Sequence, residues 1–83
     1  MMKLYQVEWC PYCARVRSKM TDLLITYINV NVPRNKADRK ELMEVSGQTG
    51  VPTLVDDDLV IADDDDAIIE YLEKKCSGKE LKV

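Results

Sequence analysis

Cys10-Pro11-Tyr12-Cys13 decides how the rest of the chain is read. Two thiols separated by two residues can close a small disulfide ring and reopen it. The tetrad lies where an extended run, Lys3 to Glu8, gives way to a helical pattern that opens at Ala14. A Cys-x-x-Cys at a strand-to-helix junction in a short α/β chain points to redox chemistry. Cys10 falls at the helix N-cap and Pro11 at the first helical position, where proline's missing N–H costs nothing. The unpaired N–H groups and the positive end of the helix dipole then face the Cys10 sulfur and favour its thiolate. Cys13 lies about one turn further in, less exposed. The expected catalytic pair is Cys10 as the attacking sulfur and Cys13 as the resolving one.

Other uses of the tetrad fit less well. A structural zinc site wants about four ligands, and the chain offers no histidine and only one further cysteine, Cys76. A purely structural disulfide over so short a loop removes little unfolded-state entropy and stores strain. Two chance core cysteines would not call for a proline and a tyrosine between them at a helix start.

The 83 residues are expected to form one domain, 1–83, small enough that its core is only marginally adequate. A formal charge of −3, with no basic cluster or aromatic ladder, argues against nucleic acid as a partner. No stretch is long and apolar enough for a membrane span, and Met-Met-Lys-Leu-Tyr lacks the apolar centre of a signal peptide. Three cysteines without a secretion signal point to a reducing cytoplasm, where a Cys-x-x-Cys cycles. A monomer is expected.

Along the chain, Lys3 to Val7 reads as a strand. Pro11 to about Leu24 reads as a helix with Ala14, Met20, Leu23 and Leu24 inward and Arg15, Arg17 and Lys19 outward. Ile25 to Val32 is a β-branched run, and Ala37 to Val45 a short helix that Gly47 suits as a C-terminal turn. A helix between two strands predicts a parallel crossover. Thr53 to Val55 and Leu59 to Ala62 flank Asp56-Asp57-Asp58, which reads as a solvated hairpin turn. Asp64 to about Lys75 is a last helix, ended by Ser77-Gly78 and followed by a polar tail expected to fray. The order β-α-β-α-β-β-α predicts an α/β fold with a four-stranded mixed sheet flanked by helices.

These motifs resemble the glutaredoxin family, within the thioredoxin-like fold. Cys10-Pro11-Tyr12-Cys13 is similar to its active-site tetrad, and Ser46 to Thr53 (Ser-Gly-Gln-Thr-Gly-Val-Pro-Thr) to the segment around its cis-proline. Ile61-Ala62-Asp63-Asp64-Asp65-Asp66 falls where that family carries Gly-Gly and then acidic residues. The C-terminal half is also similar to the N-terminal domain of glutathione transferases.

The resemblance implies a dithiol glutaredoxin, a thiol–disulfide oxidoreductase that holds no cofactor and uses glutathione as co-substrate. Its partners would be glutathione and disulfide-containing proteins. Val51, before a cis Pro52, would pair its backbone with the glutathione cysteine. Asp64 and Asp65 would hold the γ-glutamyl end through helix-start N–H groups and a carboxylate. Arg39 would reach the glycine carboxylate, and Tyr12 would sit beside the thiols and shape access. The family's basic residue three positions before the first cysteine is Val7 here, its threonine before Val51 is Gly50, and its Gly-Gly pair is Ala62-Asp63. Val7 raises one alternative, a redoxin reduced by a flavoprotein reductase or another small thiol. A separate one is a non-catalytic glutaredoxin-like binding module that holds an iron–sulfur cluster or a partner, which Pro11 disfavours. The acidic run Asp63 to Asp66 reads both as a ligand-binding element and as a plain acidic helix N-terminus, and the two readings are compatible. Trp9 reads equally as a strand-end hydrophobe or an exposed recognition contact.

Overall fold

The computed structural model describes residues 1–80, with side chains through Cys76. Its elements run β1 (Lys3–Gln6), α1 (Pro11–Asp22), β2 (Ile28–Asn31), a 3₁₀ turn (Lys36–Asp38), α2 (Lys40–Ser46), β3 (Thr53–Asp56), β4 (Leu59–Ala62) and α3 (Asp65–Glu80). The sheet order is β2-β1-β3-β4. β1 pairs in parallel with β2 and antiparallel with β3, and β3 pairs antiparallel with β4. The expected element order and mixed sheet are both present.

Side-chain alternation along the central strands assigns the two faces. Leu4 of β1 and Leu54 of β3 point into a core with Val16, Met20 and Leu23 from α1 and Ile68 and Leu72 from α3. On the opposite side Tyr5 donates its hydroxyl hydrogen bond to Glu41 of α2, 2.6 Å away. Burial and that carboxylate push the Tyr5 phenol up to about 12. The polar neighbours Gln6 and Asp56 are buried, and each finds partners. Gln6 donates to Asn31 and accepts from Arg17. Asp56 accepts from Tyr71 and Lys75 of α3.

Several elements differ from expectation for local reasons. α1 stops at Asp22 and closes through a paired motif in which Ile25 N–H reaches the Met20 carbonyl and Leu24 N–H the Thr21 carbonyl. Leu24 therefore lies outside the helix, at φ 57 and 77% exposed, and Val16 takes the inward place assigned to it. Arg17 and Lys19 are half-buried, bound to Gln6 and Glu73 respectively. The second helix is broken at Arg39 (ψ 61) into a 3₁₀ turn and α2, which ends as expected on Gly47 in the left-handed region. Of its apolar residues only Leu42 is buried. Asp56 belongs to β3, so the solvated turn shrinks to Asp57 and Asp58. α3 does not stop at Ser77-Gly78; it kinks at Cys76 and continues to Glu80. The expected fraying tail lies, from residue 81, outside the described residues.

Candidate functional site

The tetrad stands at the junction between the end of β1 and the start of α1, the one place where the parallel crossover begins. Cys10 is the N-cap of α1 in extended conformation, and Pro11 is the first helical residue. The Cys10 carbonyl accepts from Ala14 N–H at 3.0 Å. Its Sγ accepts from the Cys13 N–H at 3.4 Å, so a thiol sulfur occupies the position that a serine or aspartate oxygen takes at other helix starts. Cys10 keeps 8% of its surface exposed and Cys13 none. Both are free thiols packed with Val7, and Val32 and Val51 close the cluster.

The two sulfurs have different surroundings. Burial pushes the Cys13 thiol up to about 12, the adjacent Cys10 sulfur adds to this, and the Val7 backbone and the Arg17 charge pull the other way. Arg17 is anchored on Gln6 and on the Glu8 carbonyl. It supplies positive charge from α1 on the side where Val7 brings none.

Facing the tetrad is the loop from Gln48 to Pro52, whose Val51–Pro52 peptide is cis as the resemblance implies. Two contacts shape this loop. The Gln48 side chain bonds Gly50 N–H, and the Thr53 hydroxyl donates to the Gly50 carbonyl at 2.9 Å. Tyr12, Val51, Pro52, Asp63 and Asp65 line a cleft of about 200 Å³. Tyr12 is 58% exposed at its edge.

Two expected binding residues have other occupations. Arg39 is buried, and its guanidinium donates to the carbonyls of Pro33 at 2.7 Å, Thr49 at 2.9 Å and Arg34 at 3.2 Å. It braces the approach to the cis-proline loop. The Asp64 carboxylate accepts from Ala67 N–H at 3.0 Å and its carbonyl from Ile68 N–H at 3.0 Å, which makes it the N-cap of α3. Asp65 does line the cleft, paired with Arg15, which also reaches Asp66 at 2.9 Å. Arg15 thus serves α3.

Asp63, the first of the acidic run, also lines the cleft. It takes φ 50, a region aspartate tolerates better than most side chains. A Cβ on Gly50 would overlap its carboxylate. The two departures at Gly50 and Asp63 are therefore one adjustment: a side chain given up at one position makes room for a carboxylate from the other.

Elsewhere, Trp9 is 57% exposed with the Arg34 guanidinium 4.9 Å above its ring. Among the described residues no group of three or more His, Cys, Asp or Glu side chains is placed to hold a metal ion. No helix of the described residues is long and apolar enough to cross a membrane.

Comparison with known proteins bears on this geometry. A family model described as Glutaredoxin matches residues 2–61. An uncharacterized glutaredoxin-like 8.6 kDa protein in the rubredoxin operon of Clostridium pasteurianum is 28% identical over 75 residues, 89% of this chain and 100% of that protein. Glutaredoxin 3 of Escherichia coli is 31% identical over 53 residues, 64% of each chain. Among solved structures, glutathione transferase E6 from Drosophila melanogaster superposes with a TM-score of 0.80 at 35% identity, covering 92% of this chain. A glutathione transferase homologue from Drosophila mojavensis, with bound glutathione, gives 0.81 at 28% identity and 90% coverage. The match takes in only 35% of each transferase. The fold is thioredoxin-like, as in glutaredoxins and the N-terminal parts of transferases.

Proposed function

The chain belongs to the glutaredoxin family, and on that footing we propose that it is a glutathione-dependent thiol–disulfide oxidoreductase working through Cys10 and Cys13. The observation that carries this is the inequality of the two thiols. Cys10 stands at the edge of the site with a backbone donor on its sulfur, and Cys13 is enclosed behind it and held as the thiol. Exchange needs an accessible thiolate and a second sulfur close by, and no histidine base.

Cys10 Sγ, as thiolate, attacks one sulfur of a disulfide R–S–S–R. A Cys10–S–R bond forms, the S–S bond breaks, and the other RS⁻ leaves and takes a proton. Cys13 then gives up its proton and attacks Cys10 Sγ, forming the Cys10–Cys13 disulfide and releasing the second RS⁻. Two electrons pass from the dithiol to the substrate. Two molecules of reduced glutathione restore the dithiol and leave as glutathione disulfide; one can also resolve the Cys10 mixed disulfide directly. Val51 and Pro52 offer the cleft in which the incoming half is aligned. Glutathione, disulfide-bearing proteins and a single functional unit acting as a monomer belong to this reading.

A second reading is favoured by Val7, buried where the family has a basic residue, and by Arg39, whose guanidinium is committed to carbonyls. Val7 brings no cation to a glutathione site, and Arg39, though still charged, turns its N–H groups to backbone carbonyls, which suits a redoxin reduced by a flavoprotein or another small thiol. Hydroxyethyl disulfide turnover, driven in parallel by glutathione and by thioredoxin reductase, tests the two. Turnover with glutathione supports the first reading, turnover with the reductase alone supports the second, and turnover with neither contradicts both.

A further inference from the structure

We propose that Arg17, held on the buried Gln6 amide, is a positioning residue for the second step of the exchange. Its guanidinium favours the thiolate of Cys13 and so sets how much of the reaction closes the Cys10–Cys13 disulfide. This deepens the thiol-exchange reading and rests on it. Gln6 sits in β1 between Tyr5 and Val7 with no exposed surface, where an apolar side chain would cost less to bury. Its amide donates to Asn31 of β2 at 2.6 Å, and its oxygen accepts from the Arg17 guanidinium. That guanidinium also donates to the Glu8 carbonyl at 3.4 Å. A polar chain thus runs through β2, β1 and α1 and ends on one cation. Arg17 follows Cys13 at i+4 on α1, and a helical side chain leans back toward the turn before it.

The arrangement answers a difficulty in the second step. Cys13 is enclosed with Val7, Val32 and Val51, and burial holds it as the thiol, whereas only a thiolate attacks. Among the described residues Arg17 is the cation that acts on it, and in the favourable direction. The other charges near the tetrad are engaged elsewhere. Arg15 pairs with Asp65 and Asp66, Arg39 faces loop carbonyls, and Arg34 lies over Trp9. Asp63 stands against Gly50, and the Glu8 carboxylate meets Arg17 at 3.6 Å from an exposed side chain. Gln6 suits the task by being neutral: a glutamate there would hold the guanidinium and cancel its charge inside the fold. In the step itself, Cys13 loses its proton to water and its sulfur attacks Cys10 Sγ. The Cys10–Cys13 bond forms, the Cys10–S–R bond breaks, and RS⁻ leaves and takes a proton.

The test mixes the reduced full chain with excess hydroxyethyl disulfide, a neutral probe, quenches in acid at set times and maps the products by mass. Dithiol, Cys10 adduct and Cys10–Cys13 disulfide are separated, which gives one rate for attack and one for closure. Arg17→Gln and Arg17→Met remove the charge, and Arg17→Lys keeps it. Closure divided by attack is expected to fall about threefold at neutral pH in both uncharged variants. An about tenfold loss of thiolate is offset in part by the stronger nucleophile that a more basic thiol makes. Arg17→Lys should recover most of the ratio. The closure profile of the uncharged variants should move to higher pH by about one pH unit, as for one charge a few ångströms away. Looser packing alone would not displace it. Gln6→Glu keeps an anchor for Arg17 and cancels its charge, so it should slow closure likewise, and it carries the test if position 17 tolerates no uncharged side chain. An unchanged ratio in these variants overturns the proposal, as does an equal fall in both steps or a loss that Arg17→Lys fails to recover. Failure of the redox reading looks different: the wild type forms neither adduct nor disulfide, and both ideas fall together.

Discussion

The backbone N–H of Cys13 points at the sulfur of Cys10 from 3.4 Å, so the resolving residue's own amide serves the attacking residue's side chain. The same turn encloses the Cys13 sulfur completely, and burial keeps it a thiol with a pKa near 12. Alkylation should therefore be ordered. Iodoacetamide at neutral pH is expected to label Cys10 first, with Cys13 protected until the chain unfolds. Peptide mapping of partly labelled protein checks this, and equal labelling of the two would contradict it.

Asp64 separates a structural duty from a ligand-binding one. As the N-cap of α3 its carboxylate satisfies the Ala67 N–H. Asp64→Ala should cost about 1 kcal/mol of stability, and Asp64→Ser or Asn much less. Urea unfolding of the three variants measures this. If Asp64→Ala left the midpoint unchanged while weakening glutathione binding, the residue would be a ligand contact instead.

Leu24 carries a cost that its neighbours explain. The end of α1 needs a left-handed residue, and leucine is held there at φ 57, largely exposed, because Ile25 beyond it packs onto the core. Leu24→Gly is expected to preserve or raise stability, by up to about 1 kcal/mol once the extra freedom of unfolded glycine is counted. Thermal unfolding decides; a clear loss would mean that Leu24 contributes packing.

Asp56 should govern part of the acid limb of stability. Hydrogen bonds from Lys75 and Tyr71 hold its carboxylate below the ordinary 3.8, outweighing burial. A carboxyl lowered on folding stabilises fully above its unfolded value and loses that contribution as pH falls through the folded one. Unfolding free energy should thus fall from about pH 4 downward, and Asp56→Asn, less stable at neutral pH, should show a shallower fall. Parallel acid limbs for the two proteins would contradict this.

What could be read from the sequence was what local chemistry dictates. A proline after a cysteine, a glycine after a short helix and a β-branched run bounded by aspartates each carry their own turn or cap. Hence α1's start, Gly47 and β4 fall where expected. The missed features depend on partners distant in the chain. Asp56 looks like a turn residue until Tyr71 and Lys75 arrive from α3. Arg17 looks exposed until the buried Gln6 side chain claims it. Arg39 matches a ligand contact by position, yet carbonyls from three loop residues occupy it. Asp63 is legible as part of an acidic run, but its packing against Gly50 depends on the fold.

Trapping the exchange intermediate tests the central claim most directly. Reduced Cys13→Ser protein and reduced Cys10→Ser protein are each mixed with glutathione disulfide, quenched in acid and mapped by mass. The expected result is a glutathione adduct on Cys10 in the first and a loss of exchange in the second. An adduct that forms instead on Cys76, or wild-type exchange rates without the Cys10 sulfur, would contradict a mechanism led by that atom.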